Sequence, residues 1–151
     1  MPDSPAHDAA IAAAVDGLPI AVPTPVLSEV AFGVAQRADV QPALVNQYEW
    51  LLDLIERSIL QPLPLTVLAA SVAGELRARQ PAPPTGDRKR GGAKPEQRVG
   101  WFLDLMIAAT AWVHGCDIVS RNTADFERIA ELLPAPDDDS RLLATPPAFD
   151  A

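Results

Sequence analysis

Four oxygen-bearing side chains stand out by type and position: Glu29, Asp104, Asn122 and Asp125. Asp104 is the one acid in the apolar stretch from Val99 to Cys116. A helix that is apolar nearly all round buries itself. A carboxylate carried inward with it needs a partner, and a metal ion is one. The alternative is that Asp104, read as lying in the first turn of a helix beginning near Trp101, caps that helix or favours its positive dipole end. Glu29 sits at the border of the apolar side of its own helix, one turn before Gly33; its plain reading is a solvated glutamate. Asn122 and Asp125 stand in Ser120-Arg121-Asn122-Thr123-Ala124-Asp125-Phe126, directly after a candidate strand. Ligands of open α/β sheets collect at the carboxyl ends of strands. The competing reading there is a turn with Asx capping of the following helix.

The elements that must position these groups follow from periodicity and punctuation. Residues 6–15 read as a short Ala-rich helix ended by Asp16-Gly17. Ile20-Ala21-Val22 is a strand candidate closed by Pro23. Thr24 offers an N-cap and Pro25 a first helical position for a helix to about Arg37, with Val26, Leu27, Val30 and Val34 on one side. Pro42 opens a helix over 43–60 whose apolar stripe is Val45, Leu52, Ile55 and Ile59. Leu63 to Leu65 is a strand candidate, and Thr66 can cap a helix over 67–79. A helix is expected from Trp101 to His114, ended by Gly115, then a strand over Asp117–Ser120, a helix over 124–133 and an edge strand over 142–144. Strands alternating with helices point to a parallel α/β sheet.

Composition bounds the function. A chain of 151 residues, 48% apolar, fits one domain with a real core rather than a disordered polymer. Its net charge of -8 argues against passive binding of nucleic acid through bulk charge, but not against an enzyme with a local acidic site. No run of about 18 apolar residues occurs, so no membrane span is expected. The acidic N-terminus lacks the features of a signal peptide. The lone Cys116 allows no intrachain disulfide and suits a reducing cytoplasm.

Three segments taken in order resemble one family. LSEVAFG at 27–33, DLMIAATAWVHG at 104–115 and IVSRNTADFERI at 118–129 are similar to the PIN-domain family, especially the VapC-type toxins of toxin–antitoxin pairs. The resemblance covers about 18–133. It implies a three-layer α/β/α domain with a mostly parallel sheet, extending over 1–151. It also implies a metal-dependent ribonuclease, in which Glu29, Asp104, Asn122 and Asp125 hold Mg²⁺ or Mn²⁺ and Glu29, Asp104 and Asp125 are catalytic. Ser120 would take the place of the family's common Thr, with Arg121 beside the substrate. The implied partners are RNA, a cognate antitoxin that lays a helix in a groove, and a second copy of the chain. The chemistry is compatible: hard divalent ions take oxygen ligands, and His7 and His114 have no ligand-like spacing. Such a site activates water and steadies charge on a phosphorane.

The chain departs from the family pattern in two places. PIN domains open with a strand that ends in a metal-binding acid, and no such strand is present; Asp3 and Asp8 do not end an apolar strand. Either the protein starts some 20–30 residues upstream, or the chain is an inactive or truncated PIN-like binding module. The second departure is the Pro- and Gly-rich stretch over 80–98, expected to be a flexible loop. From Arg77 to Arg98 the chain carries seven positive and two negative residues, net +5, against -13 for the rest. Arg88, Lys89 and Arg90 are its densest part and are candidate RNA-backbone contacts; the alternative is a solvated insertion.

Smaller features read plainly. Trp50, Trp101 and Trp112 fall at core or interface positions, the 43–60 helix with Tyr48 and Trp50 being a candidate interface. Cys116 reads as a packed small residue, and Asp137-Asp138-Asp139 as a solvated turn. No glycine-rich phosphate loop follows a strand, which argues against a flavodoxin-like nucleotide binder.

Overall fold

A computed structural model of the chain describes residue 17 and residues 20–84, 95–120 and 122–135. The expected 6–15 helix, the 142–144 strand, the 137–139 turn and residues Arg88, Lys89, Arg90 and Arg121 lie outside the described residues. The fold is helix-rich α/β. In chain order the elements are β1 (Ile20–Pro23), α1 (Thr24–Arg37), α2 (Ala43–Glu56), β2 (Leu60–Leu63), α3 (Val67–Arg79), α4 (Pro95–Val113) and α5 (Thr123–Leu132). They fall into two compact units, one containing β1 to β2 and the other α3 to α5.

In the first unit β1 and β2 pair in parallel, with Ile20 opposite Leu60 and Pro23 opposite Leu63. Val22 and Leu63 are the buried members of this pair. Pro62 has no N–H to give, which an edge strand tolerates. The N-cap of α1 is Pro23, without a side-chain cap, so Thr24 is its first helical residue rather than its cap. The fixed φ of Pro25 still favours that first turn.

Helix α2 ends at Glu56, four residues short of expectation, and the strand after it begins at Leu60 instead of Leu63. The reason is a Schellman turn: Ile59 N–H donates to the Leu54 carbonyl and Ser58 N–H to the Ile55 carbonyl, both at 3.0 Å. Ser58 takes the left-handed φ of 59° that this turn requires. The apolar stripe expected on α2 is not buried. The helix contributes no buried residue, and Leu52 and Ile59 are exposed.

The second unit holds a core of Ala69, Val72, Ala73 and Leu76 from α3, Trp101, Leu105, Ala108 and Ala109 from α4, and Ile129 from α5. Small residues on both α3 and α4 let the two helices approach closely. Thr66 caps α3 as its sequence position indicates, accepting from Ala69 N–H at 3.1 Å. Gly115, at φ 66°, ends α4 in a second Schellman turn, in which Cys116 N–H donates to the Ala111 carbonyl at 2.9 Å.

Helix α4 starts at Pro95, six residues before the expected start. Proline is favoured in a first turn, and one interior glycine, Gly100, costs only about 1 kcal/mol. Residues 95–98 of the expected loop are therefore helical, and Arg98 sits on α4. Residues 116–120 form no strand. Among the described residues no neighbouring strand pairs with them, and a strand without a ladder partner leaves its backbone groups to solvent. Ile118 and Val119 are accordingly exposed. Cys116, expected to be packed, is exposed as well.

Candidate functional site

Asp104 lies in the third turn of α4, so it neither caps the helix nor meets its N-terminal dipole. Its side chain is half-buried beside the fully buried Leu105. Asp125 lies in the first turn of α5, where a carboxylate favours the helix dipole, and is 8% exposed. Asn122 sits at the N-cap position of α5.

Asn122 does not cap. No side-chain cap hydrogen bond forms there, contrary to the Asx-capping alternative. Its amide Nδ2 instead donates to Asp104 Oδ2 at 3.2 Å and to Asp125 Oδ2 at 3.0 Å. Ionised carboxylates only accept, so it is the NH₂ end of the amide that faces them. Two carboxylates from different helices thus converge on one point, and the group standing at that point is a neutral donor.

Of the residues singled out by sequence, Asp104, Asn122 and Asp125 are brought together. Glu29 is exposed on α1 in the first unit, and Ser120, half-buried, groups with that unit. Among the described residues, no three of His, Cys, Asp or Glu gather as a metal-holding group.

Periodicity gave no sign of a second polar junction, at Gln80, the C-cap of α3. Its carbonyl accepts from buried Trp101 Nε1 at 2.7 Å, and its side-chain Oε1 accepts from Arg128 Nε at 2.8 Å. Arg128 also pairs with Glu131 at 2.7 Å. One turn earlier on α3, the Arg77 guanidinium lies 4.4 Å from the centroid of the Phe102 ring. The signal for both was the run of long polar residues ending an otherwise small-residue helix, which specifies no partner by itself.

A helix-rich α/β chain with a parallel strand pair, and two aspartates drawn together from separate helices, defines a class of acidic-site domains rather than one protein. Residues 2–132 match the PIN domain, and the chain belongs to that family. No curated protein and no solved structure matches significantly. PIN domains are generally nucleases that use divalent metal ions. The donor set fits such an ion. Asp104 and Asp125 offer carboxylate oxygens, hard donors that suit a divalent ion, while Asn122 turns its NH₂ end to them. No helix among the described residues is long and apolar enough to cross a membrane.

Proposed function

We propose that the chain is a Mg²⁺- or Mn²⁺-dependent endoribonuclease, the toxin of a type II toxin–antitoxin pair of the VapC type, working in the cytoplasm. The observation that carries this reading is the convergence of Asp104 and Asp125 on one amide nitrogen, in a chain of the PIN domain family.

In this reading Asp104 and Asp125 would hold the ion, and the family resemblance adds Asn122 and Glu29 as ligands to be tested. The bound ion supplies a Lewis acid and a water activated for attack on the phosphodiester. Asp104 and Asp125 orient the ion from two helices locked by the α3–α5 core, so the site rests on rigid elements. Ser120 and Arg121 would contact the RNA. Arg88, Lys89 and Arg90 would meet its backbone.

A homodimer and a helical antitoxin complete the proposal. Support for them comes from α2. Trp50 is 50% exposed and Leu52 43%, on a helix with no fully buried residue among the described residues. An amphipathic helix or a second copy covers such a face. The single domain expected over 1–151 also belongs to this reading.

The test is cleavage of single-stranded RNA by the purified chain with Mg²⁺ or Mn²⁺, compared with Asp104→Asn. The variant is expected to lose about a hundredfold or more, the scale of removing one electrostatic group from an active site. A second reading, an inactive PIN-like binding module, is favoured by the lack of a third acid gathered at the site among the described residues. It gains if the parent binds RNA and cuts none with either ion.

A further inference from the structure

We infer that Gln80 is a positioning residue for the acidic pair: it fixes the spacing of the α4 and α5 segments that carry Asp104 and Asp125. Its consequence for metal binding rests on the ion-binding reading above. The placement itself rests on hydrogen bonds that reading does not use.

Two hydrogen-bonded rungs join α4 and α5. In the first, Asn122 Nδ2 lies 3.2 Å from Asp104 Oδ2 and 3.0 Å from Asp125 Oδ2. In the second, Gln80 accepts from both helices, through its carbonyl from Trp101 Nε1 at 2.7 Å and through Oε1 from Arg128 Nε at 2.8 Å. Trp101 stands three residues before Asp104, and Arg128 three residues after Asp125. Residues three apart share a helix face, about 4.5 Å along the axis. The second rung therefore sits one turn from the acids on both helices at once. Gln80 is itself anchored: it is the C-cap of α3, and its N–H donates to the carbonyl of fully buried Leu76 at 2.9 Å. Arg128 is held from its other edge, where Nη1 meets Glu131 Oε2 at 2.7 Å. Apolar packing between these helices is non-directional, whereas a bond to a planar guanidinium has a fixed direction. The Gln80 contact thus limits a slide of α5 along α4 that core packing resists less sharply. A metal site needs its ligands held to within about 0.5 Å, so this restraint bears on the ion.

The experiment uses the full-length chain with MnCl₂ as probe, free Mn²⁺ being counted by electron paramagnetic resonance. The side-chain amide signals of Asn122 are followed by NMR without added metal. Gln80→Ala removes the acceptor of Arg128 and leaves the backbone bond to Trp101. It is expected to weaken Mn²⁺ binding about fivefold, short of the roughly 10–100-fold for a group that touches a metal ligand directly, and to move the Asn122 signals. Arg128→Ala should do the same, and the double variant should lose no more than either alone, since all three remove one bond. Gln80→Glu keeps an acceptor at the same reach and should bind Mn²⁺ at least as tightly as the parent. Val72→Ala loosens the α3–α4 core two turns before Gln80 and should leave both readouts unchanged. Parental affinity with unmoved amide signals in Gln80→Ala overturns the inference. An equal loss in Val72→Ala overturns it too, by making the effect one of general stability. If the parent binds no Mn²⁺, the ion-binding reading falls, and the amide signals alone decide the placement: moved in Gln80→Ala and Arg128→Ala it stands, unmoved it falls. Should Gln80→Ala fail to fold, Gln80→Met, of similar length but without the amide oxygen, takes its place with the same expected directions.

Discussion

Asp104 and Asn122, 18 residues apart in sequence, meet through a 3.2 Å hydrogen bond from the amide to Oδ2. The bond ties the third turn of α4 to the start of α5. Asp125, one turn into α5, shares the same donor at 3.0 Å. The two helices therefore present their carboxylates to one point, and what happens there is open to measurement.

Asp125→Asn removes a charge while keeping the shape of the side chain. Saturating Mg²⁺ or Mn²⁺ should raise the melting temperature of the parent, because an ion that binds only the folded chain stabilises it by mass action. In Asp125→Asn that rise is expected to vanish. A full metal-induced rise in the variant, followed by calorimetry, would remove Asp125 from the ligand set.

Gln80 joins three elements. Its backbone accepts from Trp101 and its side chain from Arg128. Trp101→Phe keeps an aromatic ring but removes the N–H together with the rest of the indole, leaving the Gln80 carbonyl short of a donor and a small cavity beside it. The expected cost is about 1–3 kcal/mol, read from urea unfolding. A loss below about 0.5 kcal/mol would mean that water replaces the indole without penalty.

Ser58 holds a left-handed φ of 59° in the turn between α2 and β2. Glycine takes that conformation without the Cβ clash. Ser58→Gly should stabilise the chain by about 1 kcal/mol, a change that thermal denaturation resolves. The measurement tests the Schellman geometry directly, since a chain with an ordinary φ at this position would lose stability on gaining a glycine.

The basic segment makes a prediction about salt. Each phosphate contact on a single strand contributes about 0.7 to the slope of log affinity against log salt. Neutralising Arg88, Lys89 and Arg90 together should flatten that slope by roughly 2 and weaken binding of single-stranded RNA. Titrations at several salt concentrations decide it, and an unaltered slope assigns the segment to solvent.

Much of the fold was legible because it is set by neighbours in sequence. Thr66 caps α3 through a bond to a residue three positions on. Gly115 ends α4 because the left-handed turn there asks for no Cβ. Ile20–Pro23 and the body of each helix follow from periodicity within a few residues. The boundaries that moved did so for nearly local reasons that the pattern underweighted. Ser58 accepted a conformation that usually calls for glycine, and a helix ran through Gly100 back to Pro95.

The residue types of the acidic site, and the order in which the chain carries them, are properties of the sequence alone. So is the resemblance that placed the chain in the PIN domain family. Three matters were decided only in the tertiary structure. Residues 116–120 have strand-like composition, but a strand exists only with a partner, and none pairs with them among the described residues. The stripe of α2 has core-like periodicity, but burial depends on what packs against it. Asn122 has the type and position of a helix cap, yet its amide turned to two carboxylates, one of them brought from α4 by the packing of Leu105 and Ile129 into a shared core. A side chain's partner is chosen by whichever charge the fold delivers within 3 Å or so, and periodicity says nothing about that delivery.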